Sequence, residues 1–209
     1  MNPIDPQLKE YIESRIIPLY DHFDKAHRRD HVEAVIAQGQ YLSTFYDVDC
    51  NIIYAAAAYH DTGLAQGREI HHIASGNIIR EDSRLRQWFS EEEVELIAQA
   101  AEDHRASNKG EPRSIYGRII AEADRVIDPH KIIRRTIQYG LSNYGELDRE
   151  GHWSRTVEHL QEKYAEGGYL KLWIPESPNS ERLEELRSII KDKVLLRNIF
   201  EQIFEEGCK

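Results

Sequence analysis

Sulfur chemistry is nearly absent from this chain. Its two cysteines, Cys50 and Cys208, stand far apart among 209 residues and form no CxxC pair. That excludes a disulfide framework and a cysteine zinc site, and it fits a reducing compartment. Long apolar runs are missing too: none approaches the roughly 18 to 20 residues that span a bilayer. The opening MNPIDPQLKEYIES is too polar for a signal peptide. A soluble, cytoplasmic protein with no membrane partner is expected. Positive charge is in deficit, with 27 basic against 37 acidic residues and a formal net charge of −10. Extended nucleic acid requires a net basic face, so a long polyanion is not the expected partner. A small phosphorylated ligand stays open, because metal ions and a few arginines can reverse the local potential inside a cleft. No internal repeat, low-complexity tract or alternating strand pattern is found.

What is present reads as helix. A 40% hydrophobic content over this length suits one good-sized core, alone or with a small appendage. Ile12, Ile16, Ile17 and Leu19 begin one apolar pattern. Val32, Val35, Ile36 and Leu42 give a second at helical spacing, weakened locally by Gly39. Asn51 to Tyr59 forms a third, and His72, Ile73, Asn77 and Ile78 a fourth. Val94, Leu96, Ile97 and Ala101 make a fifth, opened by Ser90 with glutamates in its first turn. SIYGRIIAEADRVID is a sixth. Polar breaks fall at residues 105–114 and 166–180. The second break precedes SERLEELRSIIKDKVLLRNIFEQIF, which reads as one amphipathic final helix and a packing or homodimerisation element. The pattern predicts an all-α fold, with one helical domain over residues 1–140 and a helical C-terminal extension over 141–209 packed on it.

Histidine is the informative residue, with ten in the chain. AAAAYHDTGL sets His60 and Asp61 side by side after four alanines. Alone, such a doublet reads as a helix end making backbone and solvent hydrogen bonds. Upstream, AHRRDHVEAV carries His27 and His31 on one helical face. Downstream, REIHHIASG carries His71 and His72, and AAEDHRAS carries His104 to a helix end. AEADRVID puts Asp124 on a face shared with Ile120 and Ile127. An aspartate on an apolar face needs compensation. An arginine such as Arg118 would serve, but a divalent cation also accounts for the histidines, since imidazole and carboxylate suit iron, manganese or zinc.

The order His31, His60-Asp61, Asp124 resembles the HD-domain superfamily of metal-dependent phosphohydrolases, with HDTG where HDIG is frequent. The likeness covers roughly residues 20–135. It is greatest to small bacterial HD proteins, in which an arginine, a histidine and a serine follow the doublet, here Arg68, His71 and Ser75, and a His-Arg follows later, here His104-Arg105. The resemblance implies an HD-type helical bundle in which His31, His60, Asp61 and Asp124 hold a first divalent ion. Asp61 and His60 would then be central to catalysis. In two-metal relatives the doublet's aspartate bridges, and His104 with either His71 or His72 would complete a second site. On a continuous helix Arg68, His71 and Ser75 share one face, with His72 rotated by about 100°, which favours His71.

The implied cofactor is one or two divalent ions: iron, manganese or another transition metal. The implied activity is hydrolysis of a small phosphoester, a nucleotide among the candidates. Arg68, Arg105, Arg113 or Lys131 would neutralise phosphate charge, and His27 would touch substrate or a metal ligand. Individually, Arg105 and Arg113 also read as solvated loop charges. Tyr164, Tyr169 and Trp173 read as core caps rather than a nucleobase platform. Two other function classes share the ligand order: a mixed-valence di-iron oxygenase, and a non-catalytic module that binds metal or nucleotide. Nothing resembling a GYP extension follows the doublet.

Overall fold

The structure is a computed structural model describing residues 3–24, 27–107 and 110–207. Cys208 lies outside the described residues, whereas Cys50 is buried with a free thiol. Among the described residues there are ten α-helices and no strand, so the fold is all-α. No described helix is long and apolar enough to cross a membrane. The chain forms two compact units. The first runs to Arg125 and takes in Trp173–Ser177; the second comprises Val126–Leu172 and the chain from Pro178.

The first unit contains α1 (Pro6–Arg15), α2 (Arg29–Ser43), α3 (Cys50–Tyr59), α4 (His71–Glu81), α5 (Glu91–Asp103) and α6 (Ile115–Asp124). Short 3-10 turns at Ile17–His22, Thr62–Gln66 and Ser83–Gln87 link them. The helix starts follow local chemistry. The Asp5 carboxylate accepts the amides of Gln7 and Leu8, with Pro6 in the first turn of α1. Ser90 and Glu93 form a reciprocal capping box at α5. The Ser114 hydroxyl accepts the Gly117 amide at α6.

Helix α3 is the axis of this unit. Every residue in it except Asn51 is buried, and it packs against α1, α2, α5 and α6. A helix apolar on all sides belongs in a core, and Ala55 to Ala58 keep its girth small where neighbours close in. Gly39 plays the matching part on α2. A Cβ added there would sit 3.2 Å from Ile53 Cγ2 and 3.9 Å from Ala123 Cβ. The glycine that weakens the α2 pattern is thus the point where three helices meet.

Two expected helices end earlier than their patterns suggest. Helix α6 stops at Asp124, where Arg125 turns extended at φ −83°, ψ 91°. Ile127 therefore lies beyond the helix and shares no face with Asp124. In the second unit, built from α7 (Pro129–Asn143), α8 (Arg149–Tyr164), α9 (Asn179–Lys191) and α10 (Lys193–Gly207), the single final helix is two. Asp192 breaks it at φ −82°, ψ 90°, and its carboxylate accepts the amides of Val194 and Leu195 to start a new helix. Of the three aromatics near the second break, Trp173 packs against the first unit's core and Tyr164 is buried, whereas Tyr169 is 42% exposed, with Lys163 Nζ 5.9 Å from its ring centroid.

Gly63 governs the approach of α4 to the end of α3. A Cβ there would run into the His71 carbonyl oxygen and come within 2.5 Å of the Ser75 amide nitrogen. The Gly63 amide also donates to Ser75 Oγ at 2.9 Å. Gly63→Ala must push α4 outward. An overpacked core contact of this kind costs about 1–3 kcal/mol, so a lowered denaturation midpoint at nearly unchanged helical content is expected by circular dichroism.

Candidate metal centre

Helix ends deliver the polar side chains. His31 sits in the first turn of α2 and His71 opens α4. His60 and His104 are the residues at which α3 and α5 end, Asp61 follows His60, and Asp124 is the last residue of α6. These six come together around Asp61. His60, Asp61 and His104 are at most 3% exposed.

One local device aims three of the rings. The Nδ1 of His60 contacts the Ala57 carbonyl at 2.7 Å, that of His71 the Arg68 carbonyl at 2.8 Å, and that of His104 the Ala101 carbonyl at 2.5 Å. A carbonyl only accepts, so each Nδ1 carries the hydrogen and each neutral ring leaves its Nε2 lone pair free. Those lone pairs converge in two groups. His31 Nε2 lies 3.2 Å from His60 Nε2 and 3.2 Å from Asp124 Oδ1. Asp61 Oδ2 completes this group at 3.5 Å from His31 and 3.3 Å from His60. In the second, His71 and His104 face each other at 3.0 Å through Nε2, with Asp61 Oδ1 at 3.4 and 3.5 Å. Asp61 offers one oxygen to each group.

The donor set fits a divalent cation. Two imidazole lone pairs 3.0 Å apart repel unless a positive charge lies between them. Ligand bonds of about 2.0–2.2 Å meeting at roughly 90–110° give edges of about 2.8–3.6 Å. The observed separations are of that size, and the nitrogen and carboxylate mixture suits iron, manganese or zinc. His31, His60 and Asp124 form one candidate metal group, and Asp61, His71 and His104 another.

In the metal-free protein the rings and carboxylates compensate one another's charge. Burial works to raise the Asp61 pKa, but His60 and hydrogen bonds from His104 and His31 overcome it and hold the carboxyl well below its usual range. Burial likewise opposes ionisation of Asp124, and His31 with His104 and His60 again lowers its pKa. For His31, desolvation is outweighed by Asp124 and Asp61, and its pKa rises to about 10. His104 is also raised, Asp61 overcoming burial, while burial and the neighbouring His104 lower His71.

The surrounding residues divide. His27 Nδ1 lies 2.9 Å from Asp24 Oδ1, and its ring meets that of His31 edge-on. His72 stays out of both groups. Its Nδ1 is 3.5 Å from Arg105 Nη1, and burial with the Arg105 cation lowers its pKa to about 4. Arg105 also bonds Ser107 and the Glu69 carbonyl. Arg68 precedes α4, because Gly67 at φ 113° turns the chain there. It therefore shares no helical face with His71 and Ser75; its carbonyl holds the His71 ring, while its guanidinium is 73% exposed. Arg113 is spent on Asp103, Glu102 and the Gln99 carbonyl, and Arg118 pairs with Glu111 rather than Asp124. Lys131, in the second unit, pairs with Asp128.

Two residues at the site had no sequence signal assigned to them. The Tyr20 hydroxyl bonds the main chain at the doublet, and Gly63 seats α4. For Gly63 the TG after the doublet was a clue; for Tyr20 there was none, since the contact spans 41 residues.

The raised His31 pKa has a measurable consequence. Its pairing with Asp124 and Asp61 stabilises the metal-free fold fully below 6.5, the ordinary histidine value, and that contribution is lost as pH rises toward about 10. The lowered Asp61 and Asp124 pKa values contribute above the ordinary 3.8, and their share is lost as pH falls. Thermal melting of the metal-free protein should therefore show a falling Tm from pH 6.5 to 10, and His31→Ala should flatten that slope. Metal binding displaces protons, so apparent Mn²⁺ affinity should rise over the same interval.

No curated protein and no solved structure gives a match to the chain. Residues 28–127, the stretch that carries all six converging side chains, match the HD domain family. That segment is similar to the HD-domain superfamily, whose members are generally metal-dependent phosphohydrolases.

Proposed function

We propose that the protein is a metal-dependent phosphohydrolase acting on a small phosphoester, a nucleotide among the candidates, at a site for two cations. One observation carries this reading: four imidazole Nε2 atoms and two carboxylates converge in two groups that share Asp61. His31, His60 and Asp124 would hold one ion, His71 and His104 the other, and Asp61 both. Bound divalent cations would acidify water and draw charge from a phosphoryl oxygen.

The rest falls to the chain. Asp61 fixes the spacing of the two groups, and the carbonyl-locked rings keep their donors aimed without reorganisation. Arg105, beside His104, is the proposed phosphate contact: its Nε and Nη1 are anchored, and Nη2 has no partner among the described residues. Arg68 is an outer, loosely held second contact, 3.9 Å from Asp24. Arg113 supports α5 instead.

Elemental analysis after purification without added metal, followed by a phosphoester and nucleotide panel with each metal restored, tests the reading. Phosphate or pyrophosphate release with manganese is expected, and Asp61→Asn should lose both metal and activity while staying helical. Iron-dependent oxygen consumption with no phosphorus product would instead favour the oxygenase, and metal binding with no turnover on any substrate the non-catalytic module. A charge-assisted bond to phosphate is worth roughly 1.5–3 kcal/mol, so Arg105→Ala should lower kcat/KM about tenfold or more. Arg113→Ala should lower the denaturation midpoint and leave kcat/KM near wild type.

A further inference from the structure

We infer that Tyr20 is a positioning residue whose hydroxyl sets the main chain of Asp61 and, through it, the aim of the carboxylate shared by the two metal groups. The inference rests on the two-cation reading proposed above. It begins with the end of α3. Continued as an α-helix, the chain would bond the Asp61 amide to the Ala57 carbonyl four residues back. That carbonyl accepts from His60 Nδ1 at 2.7 Å instead. A buried N–H without an acceptor is costly, and the Tyr20 hydroxyl accepts it at 3.2 Å. The same hydroxyl donates to the Ala58 carbonyl at 2.9 Å, while Thr62 Oγ1 donates to the Tyr59 carbonyl at 2.7 Å.

Three consecutive carbonyls at the end of α3 are thus each taken by a side chain. This lets the backbone leave the helix at Asp61, at φ −109°, ψ 4°, in the sparsely allowed bridge region. Tyr20 is fully buried in the 3-10 turn Ile17–His22. Burial and the Asp61 carboxylate push its pKa well above the ordinary value, so the hydroxyl keeps the proton it donates. Remove the hydroxyl and the Asp61 amide loses its acceptor while the Ala58 carbonyl loses its donor. The amide must then close onto Ala58 in a tighter turn or onto Ala57, where it would compete with the bond that fixes the His60 ring. One oxygen atom therefore guards both members of the doublet.

Tyr59 supplies the control. It too is fully buried beside the doublet, but its hydroxyl donates to Asp82, which also accepts from Tyr11. It makes no bond to the main chain of His60 or Asp61. Tyr20→Phe and Tyr59→Phe each delete one buried hydroxyl and leave the ring, so both should lower stability; only the first should disturb metal binding.

The experiment titrates Mn²⁺ into the metal-free full chain of wild type and both variants, reading stoichiometry and affinity by calorimetry and Mn–Mn spin coupling by electron paramagnetic resonance. Wild type is expected to take two coupled ions. Tyr20→Phe should bind at least one of them roughly 10- to 100-fold more weakly, the usual effect of losing a group that orients a ligand, with altered coupling. Tyr59→Phe should keep wild-type affinity and coupling. Wild-type behaviour in Tyr20→Phe, or equal weakening in both variants, overturns the inference while leaving the two-cation reading standing. A wild type that never exceeds one ion per chain defeats that reading, and the inference with it. Should Tyr20→Phe not fold, hydrogen exchange of the wild-type Asp61 amide decides: core-like protection supports the bond, and rapid exchange overturns it.

Discussion

The architecture of the first unit depends on one buried carboxylate. Asp61 is 3% exposed and has an imidazole Nε2 within 3.5 Å on four sides. A carboxylate cannot be taken out of water uncompensated. The four partners come from four different helices or their ends, so the helices must arrive at one point. The all-apolar α3, the close contact at Gly39 and the bare Cα of Gly63 are the packing terms of that convergence. They let α2, α5, α6 and α4 come near enough for side chains of ordinary length to meet.

Helix ends rather than helix faces supply the chemistry. α3, α5 and α6 each bring their C-terminal end to the site, where the partial negative charge of unpaired carbonyls favours a cation. At α3 and α5 those carbonyls also do a second job. His60 and His104 turn back onto the carbonyl three residues earlier, which satisfies an orphan acceptor and fixes a tautomer in one bond. His71 repeats the device at the start of α4, using the turn carbonyl of Arg68. The fold thus converts the unavoidable polar groups of helix termini into ring orientation, and no strand or loop scaffold is needed.

Most helices were legible because caps and periodicity agreed, as at Ser90 and Glu93. The site was legible as an ordered set of residue types, since no other reading explained His31, the doublet and Asp124 together. Less legible were the terms set by pairing across distance. A face shared by Arg68, His71 and Ser75 requires a helix running back to Arg68, but Gly67 breaks it, and the ring is aimed by Arg68's carbonyl instead. Arg113 looked like a free loop cation because nothing in its neighbourhood shows that Asp103, ten residues earlier, holds it. Asp192 was hidden in an unbroken amphipathic pattern, where a single carboxylate restarts the helix. Tyr20 carries no motif at all.

Without a cation, protons balance the charge of the cluster. Four imidazoles face three carboxylate oxygens, two from Asp61 and one from Asp124. Protonating every ring would leave an excess of positive charge in a site where the rings are at most 16% exposed. Protonating none would leave lone pairs opposed at 3.0 and 3.2 Å. One proton per imidazole pair balances the two carboxylates, which agrees with the raised pKa of His31 in one group and of His104 in the other. On the proposed reading each of those protons exchanges for a divalent ion, and the balanced cluster becomes net positive. That local reversal would allow a chain of formal charge −10 to draw in the proposed phosphoester, and it would confine the attraction to the few ångströms around Asp61, where the reaction is proposed to take place.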